Sequence, residues 1–244
     1  MRWDIGFLFL TLLAEIVGTV GGFGSSVFFV PIANFYFDFH HVLGLTAVLH
    51  LASNVTKIAL FRKGFHRQLL LTMGIPSVVF VLLGGLLTPY LSSQLLELIL
   101  GIFLTIFSLF FIRNPQRALL PTTKNAVLGG VLSGFSAGLM GTGGAIRGLT
   151  MAAFNLEKNV FIATSAAIDL LIDASRTAIY AKNGYVTQDI IYAIPVLIGI
   201  SLLGSGIGKW ILRFVDQNRF KQITLFLILG IGLLTLGKII FAKI

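Results

Sequence analysis

The chain has 244 residues, of which 56% are hydrophobic and 11% charged, with 27 glycines, 22 phenylalanines and no cysteine. A water-soluble domain carries roughly 25% charged residues, so this composition excludes one and points to a chain immersed in lipid, while the missing thiols exclude disulfides, thiolate metal centres and cysteine nucleophiles. The net charge of +9 comes from lysines and arginines spaced between apolar blocks rather than gathered in one run, which gives nucleic-acid binding no support.

A bilayer core of about 30 Å takes roughly 20 apolar residues per helix. By that ruler the chain divides into apolar blocks at 5–35, 42–61, 68–89, 94–112, 124–154, 159–181, 188–212 and 220–241. The start, Met1-Arg2-Trp3-Asp4 before an apolar run, has the look of a secretory leader. Cleavage is not expected, because Glu15 and a glycine cluster stand where a small-residue cleavage site belongs. A linker over 114–124, with Pro115 and Pro121, divides the chain into halves at 1–113 and 125–244.

The halves resemble each other at an offset of 120. Windows 18–84 and 138–204 hold eight glycines each, and five coincide: Gly18 with Gly138, Gly21 with Gly141, Gly24 with Gly144, Gly64 with Gly184 and Gly84 with Gly204. Chance would align about one. The reading is an all-α polytopic membrane protein of two four-segment repeats.

The first block of each repeat is too long for one crossing and is interrupted, by Gly21, Gly22 and Gly24 ahead of Ser25 and Ser26, and by Gly141, Thr142, Gly143 and Gly144. Glycine costs about 1 kcal/mol against alanine within a helix, so each cluster favours unwinding, and unwound backbone at that depth needs protein or a wet cavity around it. Where helix resumes, free N–H groups at Ser25, Ser26, Ala145 and Ile146 would offer a positive dipole end to an anion. Close helix packing through small residues is the alternative use of the same glycines.

Polar residues inside spans tend to face the bundle interior. In the second block Thr46, His50, Ser53, Asn54 and Lys57 share one helical face; in the sixth, Ser165, Asp169, Asp173, Arg176, Thr177 and Tyr180 do so. Asp173 and Arg176, three apart, suit an internal ion pair that leaves Asp169 spare to carry a proton; a purely structural pair is the alternative. Arg147 stands three residues after the second break, where its fork of donors suits an oxyanion, or it pairs with an acid such as Asp169. Glu15 is a transport carboxylate or lies at an exposed helix end, and His50 is a core residue or a proton relay. His40 and His41 are expected in a loop beside Asp38, and no histidine pair has metal-ligand spacing, so neither a metal nor another cofactor is expected.

Basic loops at 62–67, 113–124 and 209–221 contrast with loops at 34–41 and 89–94 that hold no lysine or arginine. If each interrupted block enters and returns on one side, all three basic loops fall inside, and the odd number of crossings per repeat makes the repeats inverted. If every block crosses, the 209–221 loop falls outside.

The glycine-rich first block running into Val30-Pro31, the second break Gly138-Leu-Met-Gly-Thr-Gly-Gly144, Ala163-Thr-Ser-Ala166 and the Tyr180-Ala-Lys-Asn-Gly-Tyr185 turn together resemble the TauE/SafE family of sulfite exporters, over essentially the whole chain. The resemblance implies a carrier in the cytoplasmic membrane of a bacterium or archaeon, moving sulfite, sulfonates or related sulfur anions on a proton gradient. The second half departs from the first at Met151, Arg147, Asp169, Asp173 and Arg176, whose counterparts are Pro31, Val27, Leu49, Ser53 and Thr56. The expected mechanism is alternating access. Arg147 and the glycine-flanked helix ends hold the anion, Ser25, Ser26, Asn54 and Thr142 add hydrogen bonds, and Asp169 or Asp173 carries the proton within a set that includes Arg176, His50 and Glu15. A passive anion channel or a membrane-embedded enzyme would be the other classes, and a homo-oligomer is left open.

Overall fold

The computed structural model describes residues 5–22, 24–62, 64–114, 119–214 and 217–241, with the side chains of 217–224, 227 and 241 left aside. Among the described residues the chain forms helices and no strand. The helices are α1 (Ile5–Gly21), α2 (Ser26–Ala33), α3 (Phe39–Leu60), α4 (Arg67–Tyr90), α5 (Ser93–Arg113), α6 (Thr123–Met140), α7 (Gly144–Ala152), α8 (Lys158–Lys182), α9 (Gln188–Ile211) and α10 (Gln217–Phe241). Of these α3, α4, α5 and α9 are long and apolar enough to cross a membrane, with mean hydropathy of 1.4 to 2.6.

Local chemistry sets most of these bounds. Side chains of Asp38, Ser92 and Thr122 accept from the first-turn amides of α3, α5 and α6 at 3.0, 3.3 and 3.2 Å. Asp38 caps α3 early enough that His40 and His41 lie in its first turn rather than in the expected loop. α4 carries a π-turn at Leu70–Gly74 just ahead of Pro76, whose nitrogen cannot join the ladder.

Both interrupted blocks break where the glycines stand. Gly22 and Gly24 take left-handed backbone (φ +68° and +82°) between α1 and α2, and Gly141 (φ +76°) closes α6. The gap spans 22–25 in the first half but only 141–143 in the second. Helix therefore resumes at Ser26 and at Gly144, two residues short of the sequence offset.

At each break the chain folds back on itself. The backbone of Ser25 sits so close to Gly18 that a Cβ there would collide, and Phe7 near the start of α1 packs on Phe29, Tyr36 and Phe37 at 6.0, 5.1 and 5.1 Å. In the second half Gly143 presses on the Ser133 carbonyl, Gly129 on Thr150, and Ser136 donates to the Thr142 carbonyl at 2.5 Å. α1–α2 and α6–α7 are thus two helical hairpins.

The main helix packing is unchanged when the halves are exchanged. α1 packs on α9 and α6 on α4; α3 packs on α8, α5 on α10, α9 on α3 and α4 on α8. The seams are built from small residues, as close helix approach in lipid requires. Gly130, Gly134 and Gly138 of α6 lie against the backbone of Met73, Ser77 and Val81 in α4, while Gly204 and Gly208 of α9 lie against Glu15 and Thr19 in α1. Gly84 meets Phe135 as Gly204 meets Glu15, contacts that are 120 residues apart on both sides.

Two ends of the bundle follow from the contacts. One gathers His40 with the Thr88 carbonyl (3.3 Å), Asp38 with Ser93 (2.9 Å) and His41 with Thr187 (3.5 Å). At the other, the His66 amide donates to Thr164 (2.9 Å) and the Lys209 ammonium to the Leu60 carbonyl (2.7 Å).

Candidate functional site

The polar stripes of α3 and α8 face each other across the middle of the bundle. These two helices run antiparallel, so residues late in α3 meet residues early in α8. Asn54 donates to the Asp173 carboxylate at 2.6 Å, and the His50 ring lies 3.9 Å from the same carboxylate.

The first break brings α1 into this interface. Glu15 is fully buried and accepts from Ser25 (2.6 Å), Ser53 (2.5 Å) and Ser205 (3.1 Å), while the Lys57 ammonium stands 2.8 Å away. This rules out the exposed helix end that the sequence left open for Glu15. Lys57 also donates to Ser53 at 2.6 Å, and Ser25 joins His50 at 3.1 Å. Hydrogen bonds thus run unbroken from Lys57 through Glu15 and Ser25 to His50.

The second break contributes differently. Arg147 grips Asp169 with both terminal nitrogens and donates through Nε to Ser165 at 3.0 Å. Of the two partners open to Arg147 in the sequence, this state holds the acid, and Asp169 is accordingly not a spare carboxylate. Arg176 pairs with Asp173 at 2.7 Å and donates to the carbonyls of Gly141 (2.7 Å) and Ala137 (3.3 Å); Tyr180 donates to that of Gly138 at 2.5 Å. The end of α6 is therefore tied to α8 through its carbonyls.

Two buried acids, Glu15 and Asp173, and the half-buried Asp169 thus stand in contact with three buried bases, Lys57, Arg176 and Arg147. Breaking one such pair from one side costs about 3–5 kcal/mol, because the survivor is left as a lone charge out of water. Such charges at membrane depth mark a solute or ion path.

Beside the first break lies a narrow hollow with room for about one water molecule, lined by Gly18, Thr19, Gly22, Gly24, Asn54, Lys57, Ser165 and Asp169 among others. The Thr19 hydroxyl is buried there without a hydrogen-bond partner among the described residues. Of the residues singled out in the sequence, Gly22, Gly24, Asn54 and Asp169 line the hollow, and Ser26 meets Thr142 at 3.3 Å, which joins the two breaks. Gly21, Ser25, Ser26, Gly141, Thr142, Gly143, Gly144 and Arg147 are not in its wall, Arg147 meeting it only through its pair with Asp169. Gly143 packs on α6, and the side-chain position of Gly141 faces Leu43 and Val30. Thr19, Lys57 and Ser205 escaped the sequence reading as site residues. Lys57 carried a signal, since it is a charge on the polar stripe of α3; Thr19 and Ser205 carried none beyond being small polar residues in apolar runs.

The family described as Sulfite exporter TauE/SafE matches residues 7–235 of this chain. The chain belongs to the TauE/SafE family. It is 28% identical over 249 residues to a protein of Methanocaldococcus jannaschii described as a probable membrane transporter, a match covering 89% of this chain and 92% of that one. No solved structure matches. This TauE/SafE member is a multi-pass membrane transporter and not an enzyme.

Proposed function

We propose that the protein is a secondary carrier of small sulfur oxyanions, sulfite or sulfonates among them, that works by alternating access and couples anion movement to protons. The observation that carries this reading is the cluster of cation–carboxylate pairs around the hollow beside the first break. Arg147 and the amide end of α2 provide the attraction for an oxyanion, Asn54 and the hydroxyls of Ser25, Ser26 and Thr142 the directional hydrogen bonds, and Asp169 or Asp173 the proton site. A carboxylate in contact with the cation that must hold the anion has to be neutralised before the anion can replace it, which links the two movements.

The proposal includes two inverted repeats, 1–113 and 125–244, each opened by a re-entrant hairpin. Its support is the fold-back at both breaks, the exchange symmetry of the packing, and the meeting of Lys209 with Leu60, which puts the ends of α3 and α9 at one face. That face carries Arg62, Arg113, Lys124 and Arg213 and is the cytoplasmic one by the distribution of basic residues; the membrane is then the cytoplasmic membrane of a prokaryote.

Flux into liposomes tests the reading. Sulfite, sulfate, thiosulfate and short sulfonates are offered with and without an imposed pH gradient. The expected result is saturable flux of at least one of them, accelerated by the gradient. Unsaturable flux indifferent to pH would make the protein a passive channel, and no flux of any would refute the substrate class.

A further inference from the structure

The two ion pairs that flank the hollow come from different halves of the chain. Lys57 on α3 is held by Glu15 from α1; Arg147 on α7 is held by Asp169 from α8. Lys57 and Asp169 both line the hollow. Gly24 lines it too, and a Cβ at that residue would stand 3.5 Å from the Arg147 Nη2 and 3.6 Å from the Asp169 Oδ2, so the glycine leaves the second pair open to the space. The Thr19 hydroxyl, buried in the same wall without a partner among the described residues, is a donor with nothing in this state to receive it.

We infer that the hollow takes a doubly charged oxyanion bridged between Lys57 and Arg147, with Glu15 and Asp169 each accepting one proton as the anion takes its place. The inference rests on the transport reading above and adds to it the charge of the solute, a second cation and a proton count. Arg147 already holds two carboxylate oxygens in its fork, and two oxygens of a sulfur oxyanion fit the same donors. Lys57 is a point charge that donates to a third oxygen in any orientation, and Thr19 and Asn54 line the hollow with it.

Charge balance sets the stoichiometry. In this state the three acids and the three bases cancel. An added dianion would leave two negative charges out of water, which is prohibitive unless two carboxylates are protonated at the same time. Asp169 faces Arg147 from α7, Lys57 from α3, and Asp173 and Arg176 along its own helix. Glu15 faces Lys57 and His50 from α3, Ser25 from the break and Ser205 from α9. Asp173 keeps Arg176 throughout, because Arg176 also holds the end of α6. In each protonation a carboxylate oxygen gains a proton from solvent and releases its cation to the anion.

The test counts protons taken up per anion bound to the purified protein, by titration calorimetry in buffers of different ionisation enthalpy. Sulfate and thiosulfate are the dianions and methanesulfonate the monoanion. About two protons are expected per dianion and about one per methanesulfonate. Asp169→Asn and Glu15→Gln should each lower the dianion count by about one while binding persists. Dianion binding without proton uptake, or equal counts for the two charge types, would overturn the inference and leave the transport reading standing. Should either variant fail to fold, the comparison of dianion with monoanion on the parent protein decides alone. If none of the three anions binds, the transport reading falls, and this inference with it.

Discussion

Replacing Arg147 with methionine keeps the apolar stem and deletes the charge. Arg147 is 1% exposed and Asp169 13%, so the carboxylate left behind has almost no access to water. The penalty for orphaning one member of a buried pair is about 3–5 kcal/mol. For a chain of this size each kcal/mol moves the melting midpoint by about 2–4 °C, which predicts a fall of about 6–20 °C. Arg147→Met combined with Asp169→Met leaves no lone charge and should recover most of the loss, since apolar replacement of a whole buried pair is often neutral. Thermal unfolding in mild detergent, followed by loss of the monodisperse chromatographic peak, reads the stability; anion titration reads the site and should show no binding in either variant. A single variant as stable as the parent, or a double variant that merely adds a second penalty, would refute the claim that this pair is desolvated. Retained anion binding in the stable double variant would remove Arg147 from the site.

Asp169→Asn and Glu15→Gln should each leave anion flux less responsive to an imposed pH gradient; if both keep full proton-driven flux, neither carboxylate carries the coupling. Gly138→Val would place side-chain atoms against the backbone of Val81 and Gly85, where nothing flexible can yield, and should cost more than the roughly 1–3 kcal/mol usual for overpacking, read as lost extractable protein; normal yield and melting would contradict the packing of α6 on α4. Single cysteines replacing exposed Arg62 and Arg213 should react with an impermeant thiol reagent from one side of the membrane, and one replacing Tyr90 from the other. Labelling of Arg62→Cys and Arg213→Cys from opposite sides would defeat the inverted, re-entrant arrangement.

The helix bounds were legible because lipid imposes a length and a hydropathy that each segment meets on its own; the predicted blocks 42–61, 94–112 and 188–212 are observed at Phe39–Leu60, Ser93–Arg113 and Gln188–Ile211. The breaks were legible for an equally local reason, since glycine clusters inside apolar runs disfavour helix wherever they sit. The pairing of the charges was legible only in part: Arg147 with Asp169 stood as one of two alternatives, and Glu15 with Lys57 was not foreseen. Glu15 meets Lys57, and Arg147 meets Asp169, only because a hairpin lies along α3 and α8, and that relation depends on packing between segments far apart in sequence. Asp173 and Arg176, three apart on one helix, were the exception and were readable from spacing. The different restart points also escaped, because the glycine alignment holds across the break while helix resumes at Ser26 and at Gly144, two residues out of step with it.

The glycine seams have a bearing on how such a molecule could open. Each hairpin is wedded to the opposite half, α6 to α4 with main chain pressed on main chain and α1 to α9 with Gly204 and Gly208 against the Glu15 and Thr19 side chains. Rocking one half of the gene product away from the other would have to peel apart both of these tight junctions at once. Sliding each married pair as a stiff plank past the central α3–α8 partnership breaks neither, and it moves Glu15 relative to Lys57 and the amide end of α7 relative to Asp169. The halves marked out by the sequence offset and the sets of helices held tightest by packing are thus different groupings.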